Sequence, residues 1–206
     1  MSAREPIHAL VYGGTKELSQ AIASELSFAG WRVEPATASL ESVVDGLEGI
    51  GCLIVIADRA PAGGVLAIEE SDLVATLQHN VVQAVHVVRA AAPGMRKTGG
   101  SIVLVLDGLY DGDDGSRELS LAGSASAGAL ERAVQALACE LGGHGIRVNA
   151  VRAQTRTPHS PLPAVPLGRT ATTDDIAGVV AFLAGEEASY VTGAVVPVDG
   201  GLGAIR

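Results

Sequence analysis

Short apolar runs rich in β-branched residues alternate along this chain with longer amphipathic segments, from one end to the other. The runs at 7–12, 32–36, 52–57, 101–106, 147–151 and 194–198 predict strands, several of them too uniformly apolar to have a solvent-facing side. Between them, apolar positions recurring with helical period predict helices over about 16–29, 40–47, 70–96, 120–143 and 173–184. The last helix has the clearest ends. Thr172 and Thr173 precede Asp174 and Asp175, which place a cap and two acids on the positive helix terminus, and Gly185 supplies a stop. Strands alternating with helices imply a parallel sheet covered on both faces, an α/β doubly wound, Rossmann-like fold.

Composition narrows the function classes. With 206 residues, 48% hydrophobic and 18% charged, residues 1–206 read as a single domain with a substantial core. A net charge of −9 argues against nucleic acid and anionic membrane as partners, since both need a basic face. No apolar run approaches about 20 residues, and the opening Met-Ser-Ala-Arg-Glu-Pro carries a proline and an acid where a signal peptide places its apolar core. A cytoplasmic protein is expected. Cys52 and Cys139 both fall in apolar runs and read as small buried hydrophobes, and no metal-ligand spacing occurs.

Two segments carry a resemblance. Gly123-Ser-Ala-Ser-Ala-Gly-Ala-Leu130 is similar to the catalytic helix of the short-chain dehydrogenase/reductase family, Tyr-x-Ala-Ser-Lys-x-Ala-Leu. Downstream, Glu140-Leu-Gly-Gly-His-Gly-Ile-Arg-Val-Asn-Ala-Val151 resembles the family's E-L-x-x-x-G-I-R-V-N-x-V and sets the register without a gap. That register places Gly123 in the seat of the family's tyrosine and Ala127 in that of its lysine. In the family the tyrosine exchanges a proton with the substrate oxygen while the lysine lowers its pKa; neither Gly nor Ala does this. The catalytic serine is replaced by Asp107, and Asn80 alone keeps its family identity. Asn80 also has a purely structural reading, as a buried amide bonding backbone. A literal Tyr-x-x-x-Lys, Tyr12 to Lys16, falls in the would-be phosphate loop and reads as coincidence.

The resemblance implies a nucleotide loop T-G-x-x-x-G-x-G after the first strand. Tyr12-Gly13-Gly14-Thr15-Lys16-Glu17-Leu18-Ser19 keeps only the first glycine. Glu17 stands where the diphosphate approaches, Ser19 is expected to crowd the helix against the strand, and Lys16 offsets part of the charge. The family's N-N-A-G appears as Val55-Ile56-Ala57-Asp58, which turns a second acid, Asp58, toward the cofactor cleft. One strand and helix are missing between the second strand and Cys52; in the family order 3-2-1-4-5-6-7 the lost strand is an edge, so six continuous strands remain. A second shortening at 158–165 trims the segment that usually covers substrate.

The expectation is therefore a catalytically inactive relative with no catalytic residue, NAD(P) bound weakly at best, and no metal. It would act as a structural or regulatory subunit with itself or an active paralogue, as a dimer or tetramer, through the Ala-, Gly- and Val-rich helices at 70–96 and 120–143. Two alternatives stand beside it: nicotinamide-independent chemistry using Asp58, Asp107 and Tyr110, and residual NAD(P)-dependent oxidoreductase activity. His79 and His86, seven apart on a helix, read as packing or interface residues, and the acidic loop after Asp107, with Asp111, Asp113 and Asp114, as solvated.

Overall fold

Each apolar run forms a strand, and all six lie in one parallel sheet. The computed structural model describes residues 8–36, 49–58, 60–61, 63–107, 120–153 and 165–205. The strands are β1 (His8–Gly13), β2 (Arg32–Ala36), β3 (Ile50–Ile56), β4 (Gly100–Asp107), β5 (Ile146–Ala153) and β6 (Val195–Val198). They pair in the order β2-β1-β3-β4-β5-β6. β2 is thus an edge, as the loss of the outer strand predicts. The helices are α1 (Lys16–Phe28), α2 (Glu70–Leu77), α3 (Gln83–Met95), α4 (Leu121–Leu141) and α5 (Thr173–Ala184). The expected helix at 40–47 lies outside the described residues.

Side chains alternate across the sheet with period two. Ala9 and Val11 join Ile22 and Leu26 of α1 and Ile176, Val180 and Leu183 of α5 on one face. Leu10, Leu53 and Val55 join Val87 and Met95 of α3 and Leu130 and Val134 of α4 on the other. Every residue of β3 is buried. Fully burying one Leu or Ile contributes about 1.5–3 kcal/mol, so these two layers supply most of the force that closes the fold.

The helix expected at 70–96 is interrupted. A π-turn over Gln78–Val82 joins α2 to α3 and carries the buried Asn80. Such single-turn bulges cost hydrogen-bond geometry and concentrate at functional sites.

The β5–α5–β6 connection runs across the sheet in the same direction as β4–α4–β5 but on the opposite face, so the two crossovers differ in hand. The Arg-Val-Asn segment of β5 secures it. Arg147 donates to the carbonyls of Leu183 (2.7 Å), Ala184 (3.2 Å) and Gly185 (3.0 Å), and Ser101 Oγ donates to Leu183 O (2.9 Å), which caps the C-terminus of α5. Asn149 Nδ2 donates to Val191 O (2.8 Å) and its Oδ1 accepts from Ala194 N (3.1 Å), which leads the chain into β6.

Burial pushes the Cys52 thiol up to about 12 against the opposing pull of the Arg147 guanidinium. Cys139, expected inside, is instead exposed on the outer side of α4. Helical periodicity through an Ala-rich segment does not settle which small residue faces out. No helix among the described residues is long and apolar enough to cross a membrane.

Two tests follow from these contacts. A thiol reagent at neutral pH should modify one of the two cysteines in the folded chain and both after denaturation; two rapid modifications in the native state would contradict the buried Cys52. At the start of α5, Thr172 and Asp175 form a capping box, and the hydrogen bonds from Arg169, with those from Thr172, hold the Asp175 carboxyl well below the usual carboxylate range. A depressed folded pKa gives stability that is complete above the unfolded value near 4 and is lost as pH falls through the folded one. Asp175→Asn should therefore lower Tm at pH 7, and its deficit should shrink steadily as melts are repeated below about pH 4.

Candidate functional site

The sheet order reverses between β1 and β3, so the chain leaves these neighbouring strands in opposite directions and a crevice opens at their carboxyl ends. Gly13 and Gly14 turn the chain over β3 with φ of +82° and +76°. A Cβ at Gly13 would collide with the Ile56 carbonyl oxygen, and one at Gly14 with the Ile56 side chain. These glycines are therefore required by the close approach of two strands, whether or not a phosphate also approaches.

Thr15 caps α1, its hydroxyl accepting from Leu18 N (3.4 Å). Lys16 and Glu17 are exposed in the first turn. Ser19 does not crowd the strand as expected: its hydroxyl donates back to Lys16 O (3.1 Å), along its own helix. The loop keeps its turn and an open helix N-terminus, the elements that receive a diphosphate, with an acid added at Glu17. Such a helix N-terminus favours an anion, and the Glu17 carboxylate in its first turn opposes one.

Asn80 lies at the centre of the site. Its Oδ1 accepts from Asp58 N (2.8 Å), and its Nδ2 donates to Asp58 O (2.9 Å) and to Ser126 Oγ (3.4 Å). Ser126 in turn donates to Gly123 O (3.0 Å). The loop after β3, the π-turn and α4 are thereby joined by one buried hydrogen-bonded chain. Asn80 is thus a buried amide whose main partner is the backbone of the loop after β3. Gly123 and Ala127 are buried one turn apart on α4, on either side of Ser126, and bring neither hydroxyl nor ammonium to the site. Ser120 Oγ donates to Pro61 O (2.6 Å) and accepts from Gly123 N (2.9 Å), a second tie between α4 and the same loop.

Below Asp58 a cavity of about 230 Å³ enters the layer between the sheet and α3. Asp58, His79 and Asn80 line it together with Ala57, Tyr12 and Gln83. His79, read as a packing or interface residue, is exposed beside this cavity; His86 is exposed on α3. Tyr12 is the residue that motif reading passed over. The alternation of β1 puts it on the same face as Leu10, away from Lys16, and its hydroxyl donates to Gln83 Oε1 at 3.5 Å. That alternation, which is visible in the sequence, was the signal for it.

Asp107 ends β4, where its backbone pairs with Ala153 of β5. Tyr110, the three further acids of that loop and most of the shortened 158–165 segment lie outside the described residues. Among the described residues, no group of three or more His, Cys, Asp or Glu side chains is placed to hold a metal ion.

The family model described as enoyl-(acyl carrier protein) reductase matches residues 30–203. The chain is 31% identical to the 3-oxoacyl-[acyl-carrier-protein] reductase FabG of Thermotoga maritima, over 79% of this chain and 70% of that protein. It is 36% identical to a cyclohexanol dehydrogenase of Rhodococcus sp., over 66% of this chain and 55% of that protein. Among solved structures, an oxidoreductase of the short-chain dehydrogenase/reductase family from Burkholderia thailandensis superposes with a TM-score of 0.81 at 27% identity, covering 98% of this chain and 94% of the other. The chain spans about half the length of the first curated relatives it matches.

These matches overturn the expectation of a catalytically inactive subunit, because the family and the relatives it resembles are described as reductases and dehydrogenases. That expectation equated an empty tyrosine and lysine seat with lost chemistry. Proton transfer needs an acid or base within reach of the reacting atom, and unrelated chain positions supply one in convergent sites.

The buried amide chain has a measurable consequence. Asn80→Ala leaves the Asp58 backbone groups and Ser126 without their partner, at a cost of about 1–3 kcal/mol. For a chain of this size that lowers Tm by several degrees, and faster amide exchange at Asp58 should accompany the change.

Proposed function

The chain belongs to the short-chain dehydrogenase/reductase family, and on that premise we propose that it is an NAD(P)-dependent oxidoreductase acting on an alcohol or carbonyl group. The observation that carries this reading is the crevice at the β1–β3 reversal, which keeps the glycine turn, the open α1 N-terminus and an ionisable rim of Asp58 and His79. The bound nicotinamide supplies or accepts the hydride. Gly13, Gly14 and Lys16 receive the diphosphate, against the repulsion of Glu17. Asn80 holds the Asp58 loop against α4 and so keeps the rim of the crevice in place. Gly123 and Ala127 take no part in proton transfer, and Asp107 carries no assigned role.

Binding of NAD(P) is weak at best. Two like charges about 4 Å apart repel by about 1 kcal/mol in water and more at a partly buried site. Glu17→Gly should therefore tighten NADH or NADPH by about fivefold in calorimetry. The function itself is tested by following nicotinamide absorbance with millimolar NAD(P)H and a panel of compact ketones, and with NAD(P) and the matching alcohols. Saturable turnover supports the reading; absence of turnover together with absence of any dinucleotide binding overturns it.

The chain associates with itself, and by the same surface with an active paralogue, as a dimer or tetramer. The support is the set of apolar side chains left exposed on α2, the π-turn, α3 and α4: Val74, Val82, Val85 and Leu121. Native mass reads this directly, and a monomer at micromolar concentration would contradict it. Neither nucleic acid nor membrane is a partner in this reading, the net charge being −9. The cytoplasm is its compartment, where two unpaired cysteines persist.

A further inference from the structure

Hydride transfer to or from a nicotinamide needs a partner that exchanges a proton with the reacting oxygen, and Gly123 and Ala127 supply none. Among the described residues, the ionisable side chains that line the crevice are Tyr12, Asp58 and His79. We propose that His79 is the catalytic acid–base residue, whose imidazole takes the hydroxyl proton as an alcohol is oxidised and returns it in the reverse direction. This assignment rests on the oxidoreductase reading and goes beyond it by naming the group that moves the proton.

Three observations favour His79 over its neighbours. It belongs to the π-turn Gln78–Val82 and reaches the same crevice as Gly13 of the glycine turn. The turn is held from the adjoining position, where Asn80 bonds both backbone groups of Asp58 and also Ser126. The backbone is thereby fixed while the ring stays available: His79 is exposed and, among the described residues, its imidazole has no hydrogen-bond or ion-pair partner. Chemistry separates it from the other two. Histidine is the side chain whose charge change ordinarily falls between about pH 5 and 8, so it serves as base and as acid under the same conditions, whereas phenols and carboxyls titrate far from neutrality on opposite sides. The Tyr12 hydroxyl is given to Gln83, and no Lys or Arg lines the crevice to stabilise a phenolate.

Asp58 completes the arrangement. Its carboxylate lines the same crevice, two positions beyond the Ile56 that pairs with Gly13, and a carboxylate there favours the imidazolium that forms when the proton is taken. The groups that bias this titration are therefore Asp58 from the loop after β3 and Tyr12 from β1; α3 and α4 present Gln83, Ala84 and Leu130, none of which titrates. In oxidation the carbinol C–H bond breaks with its electron pair, which passes as hydride to NAD(P). The O–H bond breaks toward the imidazole, the C=O bond forms, and the imidazolium then yields its proton to water.

The experiment follows nicotinamide absorbance between about pH 5 and 9 for the full chain as wild type, His79→Gln and His86→Gln, the last an exposed histidine of α3 that does not line the crevice. His79→Gln is expected to lower kcat by about 10²–10⁴-fold and to flatten the pH profile, with NAD(P)H affinity in calorimetry unchanged, while His86→Gln alters neither. A second readout needs no turnover: the His79 imidazole signal in NMR, assigned by its loss in His79→Gln, shifts when NADH or NADPH is added. Circular dichroism melts confirm that the variants fold. Should His79→Gln not fold, carbethoxylation of the wild type decides, loss of turnover tracking modification of the peptide that carries His79. Turnover in His79→Gln with the wild-type pH profile overturns the assignment and leaves the oxidoreductase reading standing. A His79 signal indifferent to both dinucleotides overturns it as well. A wild-type chain that binds dinucleotide and turns over nothing overturns the oxidoreductase reading, and the assignment falls with it.

Discussion

The constraint on which this structure depends is the burial of β3 along its whole length, with β1 on one side and β4 on the other. A strand apolar on both faces must be covered on both, so one helical layer packs over Ala9, Val11 and Ile54 and another over Leu10, Leu53 and Val55. Because β1 leads to β2 on one side while β3 leads to β4 on the other, the covering elements part at the carboxyl end. The crevice is thus a product of the core, and the loss of an outer strand leaves it intact. Only the far edge has moved inward, to β2.

What surrounds the crevice has been altered without loosening it. Asn80 uses its amide to tie the Asp58 loop to Ser126 and so to Gly123, in one hydrogen-bonded unit. A small, buried α4 face at Gly123, Ser126 and Ala127 permits that close approach. The structural investment is largest at the other end of the sheet, where Arg147, Ser101 and Asn149 anchor α5 and β6 by direct side-chain bonds to backbone carbonyls. These anchors hold a crossover opposite in hand to its neighbour, an arrangement that general twist preferences do not favour. Arg147 and Asn149 of the R-V-N segment carry that load directly.

Most of the fold was legible from periodicity. Strand positions agreed to within two residues, β2 and α5 to the residue, and the six-strand order followed from where a strand was missing. Two features were not legible. The π-turn at Gln78–Val82 has no local marker such as Pro or Gly, and the Asn80 it carries bonds the Asp58 backbone, 22 positions earlier. Cys139 was misplaced because an Ala-rich helix offers too little contrast between its faces. At the site, the conclusion drawn from Gly123, Ala127, Glu17 and Asp58 was too strong: residue identity at a few positions says nothing about groups delivered from other strands.

By itself, then, the sequence determined the class of fold, the positions of its strands and the charges in the first turn of α1, because each depends on residues near one another in the chain. Tertiary structure alone decided that Tyr12 turns under the sheet to meet Gln83 71 positions away, that His79 and Asp58 share its cavity, and that Asn80 spends its hydrogen bonds on backbone. Those facts depend on which strands become neighbours, and that is settled only when both faces of β3 are covered at once.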